Sequence, residues 1–145
     1  MKIHGQCELP APPATVWHFL ATPDQASQCV PGLTAWETIT PNTHFRLWLR
    51  LPFAPTAQPP LPITLMWGEQ HPTTSLHLLL TTQFGTDPIQ VTTQLTLHPL
   101  ATSQTQLHFL MVITTDNRFI KQILRHHSPR LIDQFFTAMQ QRLQP

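Results

Sequence analysis

The sequence predicts a single α+β domain spanning residues 1–145, in which a curved antiparallel sheet of about seven strands wraps around a long C-terminal helix. Three observations carry that expectation. Alternating apolar positions recur from Leu33 to Thr115, apolar residues repeat at helical spacing from Asn117 to Leu143, and proline is frequent. Sixteen prolines in 145 residues are too many for a helical bundle and suit a chain of turns and interrupted strands. A chain of this length buries about 70% of its unfolded surface, and an apolar share of 41% supplies an ordinary core.

Ile3, Gly5, Cys7 and Leu9 alternate with Lys2, His4, Gln6 and Glu8, which is the period of a half-buried strand. Pro10, Pro12 and Pro13 stop it. Proline fits the first helical position, so a short helix starts near Pro13 and gains an apolar face from Val16, Phe19 and Leu20. Thr22-Pro23-Asp24 breaks that helix, and Asp24 is expected to cap a second helical turn reaching Cys29. Pro31-Gly32 ends the stretch.

Six further strands are expected. Leu33, Ala35, Glu37 and Ile39 share the inward phase of the first, and Pro41-Asn42-Thr43 turns the chain. Phe45, Leu47, Leu49 and Leu51 form a clean amphipathic strand, followed by Ile63, Leu65 and Trp67, then Leu76, Leu78 and Leu80. Val91, Thr93, Leu95 and Leu97 come next, and Leu107, Phe109, Met111 and Ile113 make the last. Breaks are predicted at His71-Pro72, Gly85-Thr86-Asp87-Pro88 and His98-Pro99. Between Pro52 and Pro62 five prolines make a stiff extended loop, the one candidate lid. In the tail, Ile120, Ile123, Leu124 and His127 share a helical face. Pro129 interrupts the pattern, and Leu131, Ile132, Phe135, Phe136, Met139 and Leu143 form a second stripe. One kinked helix and two abutting helices both fit.

Composition excludes several functions. Charged residues are only 10% of the chain, against about 25% in a typical domain. A net charge of +1 gives no general attraction to nucleic acid, and no nucleic-acid partner is expected. Cys7 and Cys29 are too few for a disulfide framework. Nine histidines include no His-x-x-x-His pair, so no metal and no other cofactor is expected. A Gly-rich phosphate loop, a Gly-x-Ser-x-Gly elbow and paired carboxylates are all absent, so no catalytic residue is assigned. Met1–Gln6 lacks the apolar run of a signal peptide, and a cytoplasmic protein with free thiols is the expectation.

A curved sheet touches a straight helix along only part of its length, and the remainder is space for a ligand unless large side chains fill it. Candidate ligand-binding residues are therefore Phe45, Leu47, Leu65, Trp67, Leu78, Leu80, Phe109 and Met111 from the sheet, with Leu131, Phe135 and Met139 from the helix. Plain core packing competes for each of them. Arg118, Lys121 and Arg125 fall on one helical face, either simply solvated or contacting an anionic surface such as the inner face of a membrane. Trp48, Met66, Leu79, Leu110 and Val112 take the opposite strand phase. Clustered, they would form a homodimer or partner interface.

Two segments carry a family resemblance. Ala11-Pro12-Pro13-Ala14-Thr15-Val16-Trp17, with Asp24, Cys29 and Val30-Pro31-Gly32, resembles the N-terminal signature of the CoxG family, named for its association with carbon monoxide dehydrogenase. Ser128-Pro129-Arg130-Leu131-Ile132-Asp133-Gln134-Phe135-Phe136 is similar to that family's C-terminal helix. The resemblance covers about the first 37 residues and the last 20. It implies the helix-grip fold of the START/Bet v1-like (SRPBCC) superfamily, non-enzymatic binding of an apolar lipid- or quinone-like molecule, and service to a molybdenum hydroxylase or other redox enzyme. The middle strands depart from the family pattern, as in Leu61-Pro62-Ile63-Thr64-Leu65-Met66-Trp67, and these would line the cavity. Two alternatives stand beside that reading: an interaction module with a solid core, and an enzyme acting on a lipid- or polyketide-like substrate.

Overall fold

A computed structural model of the chain describes residues 1–52 and 58–144. Strand β1 (Lys2–Leu9) is followed by α1 (Pro13–Ala21), α2 (Pro23–Ala26) and a 3-10 turn at Ser27–Cys29. Six strands come next: β2 (Leu33–Thr40), β3 (His44–Leu49), β4 (Leu61–His71), β5 (Ser75–Phe84), β6 (Asp87–Ala101) and β7 (Gln104–Thr114). Helix α3 (Arg118–Leu143) completes the order. The strands form one sheet, β1-β7-β6-β5-β4-β3-β2, antiparallel throughout. The early strand pairs with the last, as the helix-grip expectation requires, setting Gly5 opposite Phe109.

Local chemistry fixes the junctions. Pro13 occupies the first turn of α1, and the carbonyl of Pro12 accepts from the amides of Thr15 and Val16. The preceding Ala11 carbonyl accepts from the buried Thr105 hydroxyl at 2.7 Å, which ties the loop to β7. Gly32 sits at φ 78°, and a side chain there would run into the Arg50 carbonyl, so the turn into β2 needs glycine. The Asn117 side chain caps α3 by accepting from the amides of Phe119 and Ile120 at 2.9 and 3.1 Å. Its amide nitrogen donates to Asp87 at 2.8 Å, anchoring the cap to β6.

Helix α3 runs without a break through Pro129, so the tail is one helix. Three expectations are corrected. Asp24 is not the cap of α2, because Thr22 takes that position and Pro23 the next, leaving Asp24 inside the first turn. In β2 the pairing shifts register after Leu33, which inverts the expected phase. Trp36 is half-buried while Ile39 is 42% exposed. The His98-Pro99 break does not occur: β6 continues to Ala101, and a register shift between Pro99 and Ala101 absorbs the proline. Of the expected loop from Pro52 to Pro62, Leu61 and Pro62 already belong to β4, and the lid expectation falls on residues 53–57, outside the described residues.

Candidate ligand-binding interior

Residues directly opposite in an antiparallel ladder project to the same face, so the pairing registers place every inward side chain. Gly5, Phe109, Leu95 and Leu76 form one cross-strand row over β1, β7, β6 and β5. The next row is Ile3, Met111, Thr93, Leu78 and Trp67, reaching β4. Beyond it lie Ile113, Val91, Leu80, Leu65 and Phe45, reaching β3.

Two packed clusters close this inner face at its ends. At one end Leu9, Val16, Phe19, Leu20, Cys29, Leu76, Leu95, Leu97 and Leu107 meet Phe136 and Met139 of α3. Leu107, Val16 and Met139 are fully buried there. Phe109 seals the inner border of that cluster: its ring stacks on Phe136 with centroids 5.3 Å apart and lies across Gly5, where a Cβ would come within 2.9 Å of it. At the other end Ile89 and Ile113 pack under Ile120.

The strip between the two ends is covered less completely. Leu47, Leu65, Trp67, Leu78, Leu80 and Met111 are half-buried, and only Phe45, tilted against Trp67 at 6.3 Å, is buried outright. From α3, Leu131 and Phe135 are likewise half-buried. The structure thus brings the sheet candidates onto one face, with Leu131 and Phe135 among the partly covered helix residues. Met139 belongs to the packed end instead.

Two polar atoms within the strip have no hydrogen-bond partner: Trp67 Nε1 and Thr93 Oγ1. Thr93 is 6% exposed. The phase pattern pointed to Trp67 as a hydrophobic candidate and passed over Thr93, since a threonine on an inward phase looks like ordinary β-propensity. Ionisable side chains are scarce on the inner phase. Asp87 takes it at the very start of β6, where its carboxylate accepts from Asn117. Cys7 takes it on β1, and burial pushes its thiol up to about 11. Among the described residues no group of three or more His, Cys, Asp or Glu is placed to hold a metal ion.

A groove of about 770 Å³ lies on the opposite face of the sheet, lined among others by Arg46, Trp48, Thr64, Gln83, Gln90 and Asp116. It is open, and its polar groups are solvated by bulk water; Arg46 already faces Glu37 at 3.8 Å. Little free energy is available there for a ligand, because little apolar area would be removed from water. On the same outer face Met66, Leu79 and Val112 share one row, with Leu110 beside it, whereas Trp48 stands apart at the groove. Arg118 and Arg125 are exposed and Lys121 is half-buried on α3; Phe119, between Arg118 and Lys121, is 71% exposed. No helix of the described residues is long and apolar enough to cross a membrane.

No protein-family model and no curated protein matches the chain. Solved structures do. A conserved protein from Geobacillus kaustophilus superposes with a TM-score of 0.86 at 20% identity, covering 99% of this chain and 95% of that one. A Chromobacterium violaceum protein gives 0.79 at 17% identity over 99% and 97%. A START superfamily protein from Mycobacterium smegmatis gives 0.74 at 10% identity over 98% and 96%. These identities establish the helix-grip, START-like fold and leave function to the site.

Proposed function

We propose that this protein is a non-enzymatic binding or carrier protein for an uncharged, largely apolar small molecule held between the concave sheet face and α3. One observation carries the reading: large apolar side chains on the inner face are only partly covered between two fully packed ends. Apolar surface left wet in this way is a driving force for binding, at about 25 cal/mol per Å² removed from water. None of the three cross-strand rows that make up the strip and its borders carries a charged side chain. That favours a neutral guest, since an ion there would lose its hydration without gaining a counter-charge.

The finer reading follows the CoxG resemblance. The Pro31-Gly32 turn, with its glycine at positive φ, and the Phe135–Phe136 pair of α3 support it. On that reading the guest is lipid- or quinone-like, and the protein serves a molybdenum hydroxylase or other redox enzyme in the cytoplasm. Arg118, Lys121 and Arg125, with exposed Phe119 among them, suit contact with an anionic bilayer from which such a guest is drawn, although Asp116 and Asp87 nearby offset part of their charge.

The test is native mass spectrometry of the purified protein, followed by solvent extraction and titration with the neutral fluorophore N-phenyl-1-naphthylamine. A co-purified apolar molecule, or saturable one-to-one fluorophore binding, is the expected result. A protein that carries nothing and leaves the fluorophore dark overturns the carrier reading in favour of an interaction module.

A further inference from the structure

We infer that Trp67 Nε1 and Thr93 Oγ1 are the polar contacts of the interior site, so that its ligand carries a hydrogen-bond-accepting carbonyl oxygen on an otherwise apolar frame. The inference rests on the carrier reading and deepens it. Both atoms lie on the single row that borders the packed end, separated by Leu78. Strand spacing puts their backbones about 10 Å apart. The indole nitrogen can only donate, so its partner must be an acceptor, and the threonine hydroxyl can donate to the same kind of oxygen.

Other buried threonines in this protein are satisfied. Thr105 donates to the Ala11 carbonyl at 2.7 Å, and Thr115 accepts from the Asn117 amide at 3.3 Å. Thr93 and Trp67 are exceptions, and they occur together in the strip where cover is incomplete. The third unpartnered atom, His44 Nε2, is on a residue opposite Met66, on the outer phase. A buried donor without an acceptor costs free energy that valine and phenylalanine at these positions would avoid. The neighbouring apolar side chains that now cover both atoms, Leu78 and Met111 among them, are flexible enough to give way to a guest. A guest offering an oxygen relieves the cost, whereas a hydrocarbon leaves it in place. No counter-charge approaches either atom: Lys121 and His127 of α3 are half-buried, and neither bonds Trp67 Nε1 or Thr93 Oγ1. The oxygen is therefore that of a neutral carbonyl rather than a carboxylate.

The experiment displaces N-phenyl-1-naphthylamine from the wild-type protein, Thr93→Val and Trp67→Phe, using 2-undecanone and undecane. The wild type is expected to prefer the ketone, and each substitution to weaken ketone binding by about fivefold while leaving undecane unchanged. Thr93→Val, which removes an unpaired hydroxyl at constant shape, should also raise the melting temperature of the unliganded protein. A purely structural hydroxyl would lower it. Equal affinity of the wild type for ketone and alkane, or ketone preference surviving in both variants, overturns the inference while the carrier reading stands. Failure of the fluorophore to bind the wild type at all removes the carrier reading itself, and this inference with it.

Discussion

Leu76 and Leu80 stand on the same strand, point to the same face and are the same residue, yet Leu76 is 2% exposed and Leu80 is half-buried. The pair formed by Leu107 and Met111 on β7 repeats the contrast: the first is fully buried, the second is not. What differs is the cover. Over the first member of each pair lie α1, the turn at Cys29 and the C-terminal turns of α3, contributing Val16, Phe19, Leu20, Phe136 and Met139. Over the second, the helix has moved away from a sheet that continues to twist. One end of the interior is a packed core, and the adjoining strip is a surface waiting for cover. The two regions should respond oppositely to the same chemical change.

The largest effect is expected at the packed end. Leu107→Ala and Met139→Ala leave cavities among fully buried side chains and should cost about 2–5 kcal/mol each. Urea titration followed by circular dichroism measures this. The fraction that remains folded should bind N-phenyl-1-naphthylamine as the wild type does. A loss below about 1 kcal/mol would mean that the closed end is not the core.

Filling the strip reverses the pattern. Leu80→Trp adds volume where cover is incomplete, so stability should change by less than about 1 kcal/mol, whereas overpacking a closed core typically costs about 1–3 kcal/mol. Fluorophore binding should disappear. If Leu80→Trp instead destabilises like an overpacked core, the strip is closed and the two regions are one. A smaller effect tests how the helix is held over the strip. Asn117→Ala removes the cap of α3 and its bond to Asp87, which should cost about 1 kcal/mol and speed amide exchange at Phe119 and Ile120. The packed end should keep its protection.

Much of the fold was legible because strand and helix periods report which face a side chain takes. Alternation from Phe45 to Leu51 and from Leu107 to Ile113 predicted inward faces that the registers bear out, and Gly5, Cys7 and Leu9 gave the first strand its place beside the last. Legibility failed where a single residue moves the register: the shift after Leu33 turned Trp36 inward and Ile39 outward, and no local pattern announces a bulge. It failed again at Pro99, which a register shift accommodates inside β6. Periodicity reports a face but not its cover, so Met139 and Leu131 looked equivalent in sequence although one is core and the other only half-buried. The unpartnered atoms of Trp67 and Thr93 were hidden for a related reason. Whether a hydroxyl is satisfied depends on atoms from distant strands.

Cys7 marks the seam between the two regions and supplies the effect that is smallest at neutral pH. It lies opposite Leu107 on the inner face, and burial lifts its thiol from 9.0 to about 11. Cys29, inside the packed end, is also raised by burial, with Arg142 partly opposing the shift. A raised pKa means that the folded state holds the proton more tightly than the unfolded one. The stability this represents is fully present below pH 9.0 and is lost as pH rises towards 11, while nothing changes near neutrality. The half-buried position of Cys7 keeps the effect below that of a fully enclosed thiol. Wild-type protein and Cys7→Ala should therefore show parallel urea midpoints from about pH 7 to 8.5, then diverge above pH 9.0 as the wild type loses stability faster. Because lysines titrate in the same window, only the difference between the two proteins reports the thiol. Parallel midpoints up to pH 11 would mean that Cys7 meets water as freely folded as unfolded, and the partly covered strip would then extend to β1.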